Sequence, residues 1–483
     1  MSWRDHLVMM LTSGAEIEHA LMVQYLFAAY SINGDQKSEE HRAMVEGWRA
    51  SILTVAKEEM GHLLTVQNVL VLLGAPINLG REMMPWDHHF YPFKFSLEVL
   101  SKQSLQRFIY AEMPTLENVG TDPPGKSVPP AIDKQTTIDE QKAIIQEVTD
   151  AFPDANMHQI GELYAEIIDL IADPSRIPDS AFNEASYDMQ ASWDDWGRGY
   201  KPAPRSVTPD GNLDPRGDPG SGEPRSPFLD PLAGRAAHVQ IDRAATRAQA
   251  VKVLRALAAQ GEAPHLKEDE TGEPSHFERF ARIYKDFKDI EKRRLSIKPT
   301  HEVKPNPTTR VDFHKLHPHG TTYIGTAHDE LAAHFLAQLF NQRYRLLLTY
   351  LAHTFQLART QPMYQPSLRG MVMHRVFGEM YNLKAIAGLL VRLPIACGGC
   401  AGPPFEMPYS LELPQADCDI WRLYDDLLAN SSRTCRDALR VANGIPLVNR
   451  QITGIGGDVY LRSLIDIDSQ TQKWIAKVIA GAA

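Results

Sequence analysis

The sequence predicts an all-α protein, and three observations carry that expectation. Two long stretches, residues 5 to 32 and about Glu40 to Leu73, repeat apolar residues at close to the helical period of about 3.6. Three further amphipathic stretches come late in the chain: Asp329 to Gln356, Ser367 to Leu393 and Ala416 to Ala442. Within the second of the early stretches, Glu58-Glu59-Met60-Gly61-His62 contains a Glu-x-x-His. Residues three apart share one face of a helix, so this carboxylate and imidazole point at the same spot.

Composition sets the bounds. A chain of 483 residues exceeds one ordinary core and divides most simply into two domains. An apolar fraction of 43% with mean hydropathy −0.30 describes a soluble globular protein. The net charge of −10 and the lack of a Lys/Arg cluster argue against a nucleic-acid partner. No uncharged apolar run reaches the roughly 18 residues of a membrane span, so no membrane partner is expected. The N-terminus enters a helical pattern without the features of a signal peptide, which makes the cytoplasm the expected location. Four cysteines are too few for a disulfide framework.

The first helix is marked by Leu7, Met10, Leu11, Ile17, Leu21, Tyr25, Phe27 and Ala28, and Ser31 to Asp35 is the turn that ends it. Glu18, Met22 and Tyr25 share a face at i, i+4 and i+7. A carboxylate on such a buried face needs a partner, and a metal ion is a suitable one. Glu16 lies off that face. The second helix stops at Gly74-Ala75-Pro76. Glu58 competes with Glu59 as the partner of His62 from position i−4, and Glu59 is preferred. Inward carboxylates with one neutral imidazole per metal are what a carboxylate-bridged di-iron or di-manganese centre needs.

Glu18-x5-Gln24-Tyr25, Glu58-Glu59-Met60-Gly61-His62 and Leu73-Gly74-Ala75-Pro76 resemble the first half of a bacterioferritin-type four-helix bundle. More closely, the N-terminal 290 residues or so resemble the ferritin-like domain of iminophenyl-pyruvate dimer synthases of bisindole (violacein-type) biosynthesis. The stretches that carry this likeness are Ala15 to Ala20, Tyr25 to Ile32, Phe108 to Pro114, Ile160 to Tyr164 and Ser275 to Phe280. The expected architecture is therefore a ferritin-like four-helix bundle over residues 1–295, with a loop insertion at about 197–240, followed by a second helical domain over 325–483.

The remaining site residues are less sharply marked. His88-His89 sits in an aromatic loop and reads as packing rather than ligation. Ser101 to Ala111 is a short helix ending at Glu112-Met113-Pro114, which resembles the family's segment before helix three and makes Glu112 a candidate cavity residue. Asn156 to Ala172 reads as the third bundle helix. Glu162 and Glu166 share a face there, and the resemblance of Ile160-Gly-Glu-Leu-Tyr164 favours Glu162 as the third-helix ligand. The Pro/Gly/Asp-rich stretch from 200 to 235 is a lid or an excursion, with Trp193 and Trp196 just before it.

For the fourth helix, Glu262/His265 and Glu273/His276 both match Glu-x-x-His, and each contains a proline that a helix interior would not accept. The resemblance keeps Gln-Gly-Glu before the break and Ser-His-aromatic after it, which implies Glu262 with His276. Glu273 and His265 are the alternatives.

In the C-terminal region His334, His353 and His374 lie on or near apolar faces and read as satisfied core histidines. Cys397-Gly-Gly-Cys400 has no second pair at zinc spacing and reads as a turn bearing buried thiols. The expected ligands are thus Glu18, Glu59, His62, Glu162, Glu262 and His276, holding two iron ions, with manganese the alternative metal. Tyr25 stands beside them as a radical or substrate contact. The resemblance implies O2 and a small aromatic imino acid as reactants, and the C-terminal helices offer a homo-oligomer contact. An iron-storage protein and a non-catalytic helical scaffold are the competing readings.

Overall fold

The computed structural model describes residues 2–113, 138–153, 155, 160–191, 239, 241–261, 274–357 and 368–481. Glu262, His265, Glu273, Trp193, Trp196 and most of the 197–240 insertion lie outside the described residues. The described part is helical, with two short strand pairs: Trp86–Asp87 (β1) antiparallel to Lys94–Phe95 (β2), and Pro307–Thr308 (β3) parallel to Thr322–Tyr323 (β4).

Two long antiparallel helices form the spine, Trp3–Ser31 (α1) and Glu39–Leu72 (α2). Their ends are chemically specified. Ser2 and Asp5 form a reciprocal capping box at the start of α1, and the Ser38 hydroxyl accepts from the His41 amide at the start of α2. After α2, Gly74 takes φ +66°, and the amides of Ala75 and Gly74 return to the carbonyls of Leu70 and Val71. That is the double hydrogen bond of a Schellman end, which requires a left-handed residue and so favours glycine.

Lys102–Glu112 (α3) and His276–Arg293 (α7) pack directly on each other, and α7 also touches α2. Ile138–Ala151 (α4) covers α3 and α7 from outside. Ile160–Ala172 (α5) lies against α1 and against Arg247–Gly261 (α6), which also touches α2 and α7. Helix α5 thus packs on α1, as expected of a third bundle helix, and α6 closes the ring against α2. The short helix α3 packs on α7 beside this ring, and the facing ends of the two bring in Glu112 and His276.

The C-terminal region runs through Val311–Leu316 (α8), Leu331–Gln356 (α9), Leu368–Leu390 (α10), Asp417–Gly444 (α11), Pro446–Thr453 (α12) and Gly457–Ile479 (α13). Helix α9 packs on α10 and α11, and α11 on α13. Three of these match the amphipathic stretches read from the sequence. Inside this layer Arg343 on α9 is fully buried, donating to Glu379 on α10 at 3.1 Å and to Asp468 on α13. His334 Nδ1 lies 2.8 Å from the Ile324 carbonyl. His353 bonds Tyr424 at 2.9 Å and Asp417 at 3.0 Å. His374, expected in the core, is exposed.

The two regions meet face to face. Arg81, after α2, donates to the Phe405 carbonyl at 2.6 Å and to the Tyr344 hydroxyl at 3.2 Å. The Tyr344 hydroxyl also pairs with His19 Nε2 on α1. A Cβ on Gly402 would stand 2.7 Å from Val303 and 3.0 Å from Phe27, so glycine lets the C-terminal strap lie against α1. Buried apolar side chains from both regions form one continuous core. No helix among the described residues is long and apolar enough to cross a membrane.

Candidate metal centre

Four carboxylates and two histidines converge inside the bundle: Glu18 from α1, Glu58, Glu59 and His62 from α2, Glu112 from α3 and His276 from α7. All six are buried. Their positions follow from local sequence. The i, i+3 spacing of Glu59 and His62 sets Glu59 Oε2 3.0 Å from His62 Nδ1. Glu112 is the last residue of α3. His276 is the first of α7, fixed by a capping box in which Ser275 and Glu278 serve each other's amides.

The ligand atoms form two triads that share Glu59. Glu18, Glu59 and His62 make one, and Glu59, Glu112 and His276 the other, with the atoms of each triad within 4.8 Å of one another. His62 Nδ1 lies 3.5 Å from Glu18 Oε2. His276 Nδ1 lies 3.0 Å from Glu59 Oε1 and 3.6 Å from Glu112 Oε2. The two imidazole rings lie 5.4 Å apart, their planes inclined at 29°.

A cation fits this donor set. His276 Nδ1 and Glu59 Oε1 are buried and face each other at 3.0 Å, yet neither has a hydrogen-bond partner. Buried polar atoms are seldom left so. A single ion between them would satisfy both. Hard carboxylate oxygens with one imidazole nitrogen per triad suit iron or manganese.

The other atoms of these ligands are already engaged. The Tyr25 hydroxyl donates to Glu112 Oε1 at 2.5 Å. The Tyr164 hydroxyl donates to Glu18 Oε1. His62 Nε2 lies 2.9 Å from Gln260 Oε1. His276 Nε2 lies 3.2 Å from Glu58 Oε2, while Arg279 stands 3.8 Å from Glu58 Oε1.

The electrostatics record crowded negative charge. Burial, then the neighbouring Glu59 carboxylate, push Glu18 up to about 7. Burial opposes charge on His62, but Glu18 and Glu59 outweigh it and hold the imidazole at about 10. Burial would likewise raise Glu58, yet Arg279 and His276 take it down to about 2. Protons thus stand where a cation would otherwise balance the carboxylates. Tyr25 and Tyr164 are pushed well above the usual phenol range by burial and by the carboxylates they bond. Both stay neutral donors.

A small cleft reaches the carboxylates between the first turn of α5 and the last turn of α6, with Leu21, Ile160, Leu257 and Ala258 as its apolar wall. At its rim a Cβ on Gly261 would stand 3.3 Å from Glu112 Oε2.

Of the expected ligands, Glu18, Glu59, His62 and His276 are brought together, and Tyr25 lies beside them. Glu162 is corrected. It is exposed on α5, because Leu163 and Tyr164 take the buried side of that helix. Its expected place is held by Glu112, read only as a cavity residue. Glu262 lies outside the described residues. The sequence offers Glu58 only as a rival to Glu59 and gives no site role to Tyr164, Gln260 or Arg279. Arg279 carried a usable signal, since it follows His276 by three on one helix face. Of the remaining histidine and cysteine motifs, His88 packs in an aromatic cluster with Trp86 and Phe95. The four cysteines are free, and Cys397 is exposed rather than buried.

Residues 11–195 match the family model described as ferritin-like. The chain carries a ferritin-like domain. The chain is also similar to dichlorochromopyrrolate synthase of Lentzea aerocolonigenes, 26% identical over 474 residues that cover 90% of this chain and 39% of the relative. It is similar to 2-imino-3-(indol-3-yl)propanoate dimerase of Chromobacterium violaceum, 32% identical over 140 residues, 24% of this chain and 14% of the relative. The chain therefore spans well under half the length of either relative. No solved structure matches it at a significant level.

Proposed function

We propose that this chain is a non-haem di-iron enzyme that uses O2 to oxidise a small aromatic imino acid in the biosynthesis of indole-derived natural products. The observation that carries the reading is the pair of buried triads sharing Glu59, with His276 Nδ1 and Glu59 Oε1 facing each other unbonded. Glu58 has Arg279 beside it, but a scaffold would gain nothing from burying Glu18, Glu59 and Glu112 around one another, each costing several kcal/mol without a compensating cation. The substrate class is taken from the relatives' names and is part of the proposal.

Glu18, Glu59, Glu112, His62 and His276 would hold the metal ions, which when bound would carry electrons from the substrate to O2. The chain's own residues prepare that site. Tyr25 and Tyr164 each donate to one oxygen of a terminal carboxylate and leave the other free to ligate. Gln260 and Glu58 hold the outer nitrogens of His62 and His276, which turns each Nδ1 lone pair inward. Phe108 and Phe280, both 4.9 Å from the Tyr25 ring, fix that tyrosine and keep water from its hydroxyl. The apolar wall of the cleft would accept an aromatic ring edge or a small non-polar gas, and Gly261 keeps the approach to Glu112 open.

O2 uptake tests the reading. Iron-loaded protein given 2-imino-3-(indol-3-yl)propanoate, generated in the reaction vessel, should consume O2 faster than metal-free protein. Uptake no different from the metal-free control across a panel of aromatic imino acids would contradict it.

A further inference from the structure

The metal-centre reading places two cations in two triads, and those triads can be compared part by part. Glu59 belongs to both and cancels. Each terminal carboxylate accepts from one buried tyrosine, Glu112 from Tyr25 and Glu18 from Tyr164, so this contribution also matches. The difference lies behind the histidines. The outer nitrogen of His276 meets a carboxylate, Glu58 Oε2 at 3.2 Å. The outer nitrogen of His62 meets a carboxamide, Gln260 Oε1 at 2.9 Å.

These two partners are not equivalent. A carboxylate accepting the imidazole N–H draws the proton toward itself and makes the other ring nitrogen a stronger donor to a metal. A neutral amide orients the ring with much less of that effect. Glu58 is also the better anchored. It lies in the middle of α2, fully buried beside Glu59, and Arg279 approaches its other oxygen at 3.8 Å. Gln260 is the second-last residue of α6 and half-buried.

We propose that the two halves of the centre are unequal: the half built on Glu59, Glu112 and His276 holds a divalent transition-metal ion more tightly than the half built on Glu18, Glu59 and His62, because Glu58 backs one histidine and Gln260 the other. Glu58 and Gln260 act as positioning residues, through the imidazoles. The inference rests on the metal-centre reading. It makes the first half the resident site and the second the one that fills last and empties first.

Metal-free full chain titrated with Mn2+, with free Mn2+ followed by electron paramagnetic resonance, tests this without reference to activity. The first equivalent should bind at least about tenfold more tightly than the second, the lower end of what such outer partners control. Glu58→Gln keeps a hydrogen-bond acceptor and removes the charge. It should weaken the first equivalent by about tenfold or more and leave the second little changed. Gln260→Glu, at a half-buried position near the end of α6, should tighten the second and narrow the gap. Two equivalents of equal affinity in the parent, or Glu58→Gln weakening both alike, would overturn the inequality while leaving the metal centre standing. No Mn2+ uptake by the parent would overturn the metal-centre reading, and this inference with it.

Discussion

Whether a glutamate serves this site is decided by which side of its helix is buried. Glu112 and Glu162 make the point, since both follow apolar residues on short helices. Glu112 ends α3 facing Tyr25 and His276, whereas Glu162 points outward from α5. Glu112→Ala should therefore cost most of the bound metal, and Glu162→Ala should leave metal content within error of the parent, as read by mass spectrometry of purified protein. The first helices were legible because Met22 and Tyr25 mark Glu18's face as buried, and Glu59 and His62 identify each other by spacing. Around Glu162 the local likeness to a family segment pointed one way and the burial of Leu163 and Tyr164 the other. Burial won.

A second residue-scale consequence concerns pH. Burial, with Arg392 nearby, holds His301 down to about 4, so it is neutral in the folded protein at neutral pH. In the unfolded chain it protonates near 6.5. Between those values the unfolded state binds the extra proton, so this residue's contribution to stability is present above about 6.5 and is lost as pH falls toward 4. His301→Gln should lose less stability than the parent between pH 7.5 and 5, measured as the difference in urea midpoints.

At the scale of elements, helix ends do much of the positioning. His276 is the first residue of α7, and its place depends on the Ser275–Glu278 capping box. Removing the hydroxyl with Ser275→Ala should destabilise by about 1 kcal/mol in denaturant unfolding and should lower metal affinity as well, because the first turn carries the ligand. An equally destabilising change elsewhere should leave affinity alone. The start of α7 was visible in the sequence as Pro274-Ser275 with a glutamate three residues on. The role of α3 was not, since an eleven-residue helix looks like a connector until its packing against α7 is seen. Length and periodicity report that a helix exists. They do not report which neighbours it takes.

At the scale of the whole molecule, the C-terminal helices close one side of the ferritin-like domain. Arg81 is the junction, buried and donating to the Phe405 carbonyl and the Tyr344 hydroxyl. Hydrogen bonds from a charged donor contribute about 1.5–3 kcal/mol each, so Arg81→Ala should destabilise by at least about 2 kcal/mol in urea unfolding. Because apolar contacts run without a break from one region to the other, that loss should appear in a single transition rather than in one of two. The sequence showed the polar change near residue 300 and suggested two bodies. The contact that joins them involves residues 263 and 324 positions apart, which no local pattern records.

Glu59 belongs to both triads of the proposed metal centre, and metal content tests that centre most directly. Protein from iron-supplemented cells should carry about two metal ions per chain, as a bridged carboxylate centre requires. Glu59→Ala should lose both while retaining its helical circular-dichroism spectrum. Parent protein that folds normally and carries no metal would contradict the account, and so would a Glu59→Ala variant with the parent's full metal content.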